Sequence, residues 1–454
     1  MPVLIEQTLA LGVGFTDKWL AGNVLIGAET LAAAGLVTYC VGFLPSLFAI
    51  PAVGATALVA RAFGGGDPRA AWQAAAGSFA VGGVIAALVM AAGWWIGVDG
   101  VTHLGLPPGS SALAGRYLGI MVPAVPAIMI VNVGVAVLRG AGSMTTGLVA
   151  MTVVNAVNVV ISGCLAAGLM GFPRLGWDGL AWGTAAGWWC GACVVIVSLF
   201  SPMQSISPSM SADAGRLVIR RVLAIGGPAG LDAILNAGLQ LAFLGIVNRL
   251  GDVDAAAHAL AITIESLAFL PGSAFQVAAS TLCGQFLGAG DVTRARRSVF
   301  LAAFACMALM GLIAVIFFWQ ADRLAGWFVG GLERQPEVAS RAAALVRIVA
   351  FAQPFLAMLM VFSGALRGAG RTRLPLVVNL AGLVVVRLPL ALFLTASVVS
   401  LPGFRVELSG PGLGVVGAWL AMAADLGTRG VAMMAVFVAS TGRRDSSGLH
   451  RADR

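Results

Sequence analysis

Charge is scarce in this chain. Only 10% of its 454 residues are charged, while 59% are apolar and the mean hydropathy is +0.96. A soluble globular domain carries roughly 25% charged residues, so that class is excluded. Whole windows carry no charge at all: Ala70–Val98, Tyr117–Leu138, Gly140–Pro173, Gly179–Ala212 and Ser298–Ala321. Each exceeds the ~20 apolar residues a helix needs to cross hydrocarbon. Apolar–polar alternation is missing too, which argues against a membrane β-barrel. Histidine is nearly absent, with His103, His258 and His450 scattered and no His-x-x-x-His or Gly-x-Ser-x-Gly run. An intramembrane hydrolase needs such a constellation, so the chain is not expected to be an enzyme. The six cysteines, Cys40, Cys164, Cys190, Cys193, Cys283 and Cys306, lie within or beside apolar runs and suggest no disulfide framework. Cys190-x-x-Cys193 has redox or metal spacing, but it sits inside a span without a partner His or Cys. No metal site and no cofactor are expected.

What the chain has is glycine, 60 residues of it, and a message stated twice. Phe43-Leu44-Pro45 leads to Gly64-Gly65-Gly66-Asp67, and Phe269-Leu270-Pro271 leads to Gly288-Ala289-Gly290-Asp291. Leu138-Arg139-Gly140-Ala141-Gly142 recurs as Leu366-Arg367-Gly368-Ala369-Gly370. Gly176-Trp177-Asp178-Gly179-Leu180-Ala181-Trp182 has its partner in Gly414-Val415-Val416-Gly417-Ala418-Trp419-Leu420. The order is kept and only loop lengths drift. An all-α polytopic membrane protein follows, with about twelve transmembrane helices in two pseudo-symmetric halves of six. The halves are residues 1–200 and 216–441, joined by a Ser/Pro-rich linker at 201–215 and followed by a polar tail at 442–454. Met1–Leu25 reads as a first span rather than a cleaved leader. Six spans per half make the repeat parallel, the sign of a secondary transporter whose site lies between moving halves.

The net charge of +8 is explained by orientation rather than by nucleic acid. Of the 27 basic residues, 16 fall in segments on one side, among them Arg61, Arg139, Arg220, Arg296 and Arg367. The positive-inside rule makes that side the cytoplasm and puts both termini there, in a plasma (inner) membrane protein. The Gly-rich runs at 64–67 and 288–291 lack the Lys-Ser/Thr of a phosphate loop. They are expected to end a helix in a tight turn, with Asp67 and Asp291 capping the next.

Several segments in order resemble the multidrug and toxic compound extrusion (MATE) family. They are Gly14-Phe15-Thr16-Asp17-Lys18-Trp19-Leu20-Ala21-Gly22 in the first span, Leu31–Leu36 at the entry to the second, and Ala57–Asp67 after it. The duplicated Leu-Arg-Gly-Ala-Gly turns and Arg387-Leu388-Pro389-Leu390 in the eleventh span complete the set, which covers nearly the whole chain. The resemblance implies twelve helices in two lobes forming a V around a central cavity. It also implies a cation-driven antiporter that exports organic, often cationic, compounds in exchange for H⁺ or Na⁺. A lipid-linked substrate flippase of the same superfamily, or a non-transporting membrane protein, is the alternative. The expected partners are a small organic substrate and the lipid bilayer, with the protein monomeric.

Ionisable groups inside spans are the candidates for chemistry, since each costs at least ~2.5 kcal/mol at mid-membrane unless paired or wet. Asp17 comes first: it follows an uncharged run from Gln7, and an acid so placed can carry a proton. Adjacent Lys18 diverges by about 100° on the helix and is expected to reach outward. Asn155 and Asn158 share a helical face in the fifth span, and Thr184 lies in the sixth. In the family, a fifth-span Asn, an acid one turn on and a sixth-span Thr join the first-span Asp in a cation site. Asn155 and Thr184 match, whereas the acid's position falls on Val159 with Asn158 beside it. One carboxylate rather than two tilts the expectation toward H⁺, with Na⁺ possible at Asp17, Asn155 and Thr184. In the second half Asp232 and Glu265 lack a basic residue at i±3 or i±4 and are expected, with Asn236, to line the substrate cavity. Asp425 and Arg429 are spaced to pair. Arg387 is expected to be structural, and Glu6 to be solvated near the inner interface. Pro123, Pro126 and Pro354 mark helices that can kink.

Overall fold

The computed structural model describes residues 2–25, 28–102, 108–203, 212–328, 336–395, 398–400 and 407–445. Among them the chain forms α1 Pro2–Asn23, α2 Ala28–Gly64, α3 Pro68–Thr102 and α4 Pro108–Gly140. Then come α5 Thr145–Ala167, α6 Trp177–Met203, α7 Ala212–Asn248, α8 Asp252–Gly288 and α9 Val292–Phe328. The series ends with α10 Pro336–Gly368, α11 Arg373–Thr395 and α12 Gly414–Asp445. Eleven of these are long and apolar enough to cross a membrane. The remaining one, α1, has 22 residues, about 33 Å of helix. A short antiparallel pair, β1 Val398–Ser400 and β2 Glu407–Ser409, interrupts the loop after α11.

The repeated motifs turn out to be turns. In Gly66, Gly142, Gly290 and Gly370 the backbone takes a positive φ of 68°, 95°, 79° and 72°, a conformation that favours glycine. Each turn closes on its helix with the same bond, as in Asp67 N–H to Ala62 O at 2.9 Å and Arg371 N–H to Leu366 O at 2.9 Å. Asp67 then accepts from Ala70 N–H at 2.9 Å and Asp291 from Arg294 N–H at 2.7 Å, capping α3 and α9.

The chain divides into two compact units, Met1–Gly230 and Leu231–Arg454. The division falls within α7, because the start of that helix packs on the first unit. Val218 and Val222 join Val81 in one apolar cluster, and Gly226 lies so close to Ile50 that a Cβ would meet its carbonyl at 1.8 Å. Most of the linker expected at 201–215 lies outside the described residues, and so does the tail beyond Asp445. The helix α12 runs four residues into the segment expected to be tail, through Asp445.

Within the first unit, Phe48, Tyr117, Ile128, Leu138 and Leu180 fill the core; in the second, Trp419, Phe362, Phe437, Ile264 and Leu345 do. In a bilayer such packing stabilises through close van der Waals contact more than through escape from water. The pair α5–α6 shows how close. Gly179, Gly183 and Gly187 recur every four residues on α6, and a Cβ at each would meet α5 backbone at 2.7, 2.4 and 2.7 Å. This small-residue stripe lets the two helices touch backbone to backbone. Two helices depart from regularity. Residues 122–124 of α4 form a 3₁₀ turn around Pro123, and residues 382–387 of α11 widen into a π turn just before Pro389.

Candidate functional site

The glycine stripe on α6 delivers Thr184, the residue after Gly183, against Asn158 on α5. Asn158 Nδ2 lies 2.8 Å from Thr184 Oγ1, and both side chains are buried. From α1, Asp17 enters the same place with 7% exposure. Its Oδ2 accepts hydrogen bonds from Tyr117 Oη at 2.5 Å and Thr184 Oγ1 at 2.8 Å, and its Oδ1 accepts from Asn158 Nδ2 at 3.2 Å. Tyr117 comes from α4, so four helices converge on one carboxyl. Ser162 extends the network, 3.2 Å from Asn158 Nδ2 and 3.2 Å from the Leu180 carbonyl.

The donors have alternatives. Tyr117 Oη is also 3.0 Å from Thr184 Oγ1, and Thr184 Oγ1 is 3.0 Å from the Leu180 carbonyl. Each hydroxyl has a single hydrogen. Tyr117 can therefore turn its hydrogen from Asp17 to Thr184 while Thr184 turns to Leu180. Tyr117 Oη is then free to accept from a protonated Asp17. The network accommodates both states of the carboxyl without moving a heavy atom.

Asp17 lies on a cavity of about 340 Å³ within the first unit, lined also by Val37, Thr38, Asn132, Trp177 and Trp188. At another part of the lining sit Glu6 and Arg139, which form an ion pair. Glu6 is only 6% exposed, so the expectation of a solvated interfacial residue is corrected. Arg139 from the α4 turn and the close approach of Gly147 at the start of α5 enclose it.

Asn155 does not join Asp17. Its Nδ2 donates to the carbonyls of Leu9 at 2.9 Å and Met151 at 2.8 Å, tying α1 to α5. The inward position belongs to Asn158, and Val159 lies half exposed on the outer side of α5. Lys18 is exposed and takes no part in the network.

Residues 2–163 and 228–393 each match the MatE family model, one match per half. The chain belongs to the MatE family of transporters. Similar proteins include the probable multidrug resistance protein NorM of Pseudomonas aeruginosa, 28% identical over 97% of this chain and 88% of that protein. The probable multidrug resistance protein NorM of Thermotoga maritima is 24% identical over 94% of this chain and 88% of its own length. Among solved structures, the Vibrio cholerae MATE transporter VcmN in its bent form superposes with a TM-score of 0.84. That match has 20% identity and covers 98% of this chain and 96% of VcmN. A MOP superfamily transporter of Pyrococcus furiosus, described by a binding pocket of reverse polarity, gives 0.81 at 19% identity over 98% and 94% of the two chains. These likenesses establish the fold.

In the second unit of this MATE transporter the polar residues form a different arrangement. Asp232 is buried and ion-paired with Arg367 at 2.7 Å, and Asn379 Nδ2 donates to both its oxygens at 3.0 and 3.1 Å. Asp232 has no basic residue at i±3 or i±4, as its spacing says, but it does have a partner, which comes from α10 rather than from its own helix. Arg429 and Arg387 share Asp425, at 2.5 and 2.9 Å, and Arg387 also donates to Gln240 at 2.8 Å and lies over the Phe243 ring at 5.5 Å. Glu265 is half-buried and within the electrostatic reach of Arg387, while Asn236 is half-buried on α7. The three are not gathered: Asp232 is held by Arg367 and Asn379, and no hydrogen bond links Asn236 to Asp232 or Glu265 among the described residues. The buried Asp425–Arg429 pair is as the sequence spacing implied.

Sequence reasoning missed Tyr117 and Ser162. Tyr117 is one of only two tyrosines in the chain and opens an uncharged window, which was signal enough. Ser162 carries none.

Proposed function

We propose that this protein exports organic cations in exchange for protons, with the Asp17 carboxyl as the exchanging group. The observation that carries the proposal is the convergence of Tyr117, Thr184 and Asn158 on Asp17 at the wall of the 340 Å³ cavity. The relatives' designation as multidrug resistance proteins supports the substrate class. A cavity with Trp177, Trp188 and an acid in its lining suits flat cations, which aromatic faces and a carboxylate both attract.

Protons fit the site better than sodium. The site offers one carboxylate, and the three side chains bonded to it are arranged as hydrogen donors, which favours a proton over sodium. Substrate entry and protonation would compete for the same carboxyl. Protonation from outside would release the cation, and deprotonation inside would restore the binding form as the two halves alternate access. The arginine distribution supports cytoplasmic termini in a plasma membrane, and the two-halved chain supplies both moving parts in a monomer.

Ethidium efflux from membrane vesicles, under imposed H⁺ or Na⁺ gradients, tests this with wild type and Asp17→Asn. Proton-driven efflux in wild type and its loss in the variant are expected. Efflux that survives in Asp17→Asn would overturn the assignment, and efflux driven by Na⁺ alone would overturn the choice of ion.

A further inference from the structure

The Glu6–Arg139 pair is left unexplained by a site centred on Asp17. Glu6 and Asp17 are 11 residues apart on α1, about three turns, so they lie within about 20° of each other and about 16 Å apart along the axis. Both line the same cavity, and the α1 residues between them that also line it are Gln7, Ala10, Val13 and Gly14. Small side chains at positions 10 and 14 keep this face of the helix low, while Thr38 and Asn132 supply polar groups opposite. Polar groups set in this largely apolar wall give water hydrogen-bond partners, which a wholly apolar hollow of the same size would not.

At the Glu6 end the lining closes on a charged pair whose bonding is incomplete. Glu6 Oε2 and Arg139 Nε are buried with no hydrogen-bond partner. Burying a charged group without full pairing is costly, so such atoms call for an explanation. They are where a chain of waters along α1 would terminate. The arginine distribution places this end of α1 at the cytoplasm.

We infer that Glu6, held by Arg139, is a second carboxyl on the proton path, receiving the proton that leaves Asp17 along the α1 face and passing it to the cytoplasm. The proton moves from the Asp17 carboxyl through water to the Glu6 carboxylate, and from there to bulk water, so charge and atoms balance at each transfer. This rests on the proton-exchange reading of Asp17. The second unit repeats the clasp without the path: Arg367, in the same duplicated motif, holds Asp232 of α7, and there Asn379 donates to both carboxylate oxygens. Only the clasp in the first unit leaves its acid oxygen without a partner among these contacts.

The test compares Glu6→Gln, Glu6→Asp and Asp17→Asn in reconstituted full-length protein. It reads proton-driven ethidium efflux and gradient-free exchange of ethidium for ethidium. Glu6→Gln should slow driven efflux about tenfold, the loss of one charged hydrogen-bonding group, while exchange persists and Glu6→Asp recovers most of the rate. Ala10→Leu, which fills the hollow without touching either charge, should show the same split. Wild-type efflux in Glu6→Gln, with Asp17→Asn inactive, would overturn this inference alone. Equal loss of efflux and exchange in both Glu6→Gln and Ala10→Leu would reduce the pair to a structural clasp and overturn it too. Driven efflux surviving in Asp17→Asn would remove the proton-exchange reading and this inference with it.

Discussion

Replacing Gly183 by alanine tests whether the α5–α6 contact sets the geometry of the site. An added Cβ would lie 2.1 Å from Ser162 Oγ, 2.4 Å from its backbone N and 2.7 Å from its Cα. Ser162 Oγ can rotate away, but the backbone cannot, and ordinary contact begins at 3.4 Å. The helices must therefore part by about 1 Å, since interiors at this density have no slack. Overpacking of this kind costs about 1–3 kcal/mol. Alanine's better helix propensity returns about 1 kcal/mol, so the net loss is about 0–2 kcal/mol. The site suffers more than the fold. The Asn158–Thr184 bond, 2.8 Å long, would stretch to about 3.8 Å and be lost. Thr184 would retreat from Asp17 with it. Gly163→Ala is the control: it lies on α5, and a Cβ there meets nothing within 4 Å. Thermal melting in detergent and ethidium efflux from vesicles report the two effects. Gly183→Ala should melt no higher than wild type and export poorly, and Gly163→Ala should export normally. Equal melting and equal efflux for the two variants would refute the claim that the stripe positions Thr184.

Three further outcomes follow from particular contacts. Tyr117→Phe removes one donor to Asp17 and should lower proton-driven efflux by a factor matching about 1 kcal/mol while the protein stays folded. Asp425→Ala leaves Arg387 and Arg429, 2% and 5% exposed on their side chains, without a shared counter-charge. It should cost about 3–5 kcal/mol and show as lost folded protein on size-exclusion chromatography. Arg116→Ala breaks an ion pair with Asp178 whose arginine is 59% exposed, and should change melting by no more than about 0.5 kcal/mol allows.

The membrane class, the duplication and most of the helix series were legible in the sequence because they depend on local signals: uncharged windows, turn glycines and capping aspartates. Asp17 was legible for the same reason, as a charge in an uncharged run. Choosing between Asn155 and Asn158 was not, because both fall on one face by spacing, and only the α6 glycines determine which of them meets Thr184. The partners of Asp232 and Glu6 were invisible for a related reason. Absence of a basic neighbour at i±4 describes one helix, whereas Arg367 and Arg139 arrive from another. That both arginines belong to the repeated Leu-Arg-Gly-Ala-Gly segment was on view in the sequence; that each would hold an acid of its own half's first helix was not. The boundary between units also escaped linker composition, since it depends on valines of α7 packing on α3.

The central claim is that one carboxyl, Asp17, is shared in turn by substrate and proton. Its most direct test is proton release on substrate binding, measured with purified protein in weakly buffered detergent solution as ethidium is added. The account predicts that wild type acidifies the solution as it binds the dye and that Asp17→Asn releases no protons. Undiminished proton release from Asp17→Asn would contradict it.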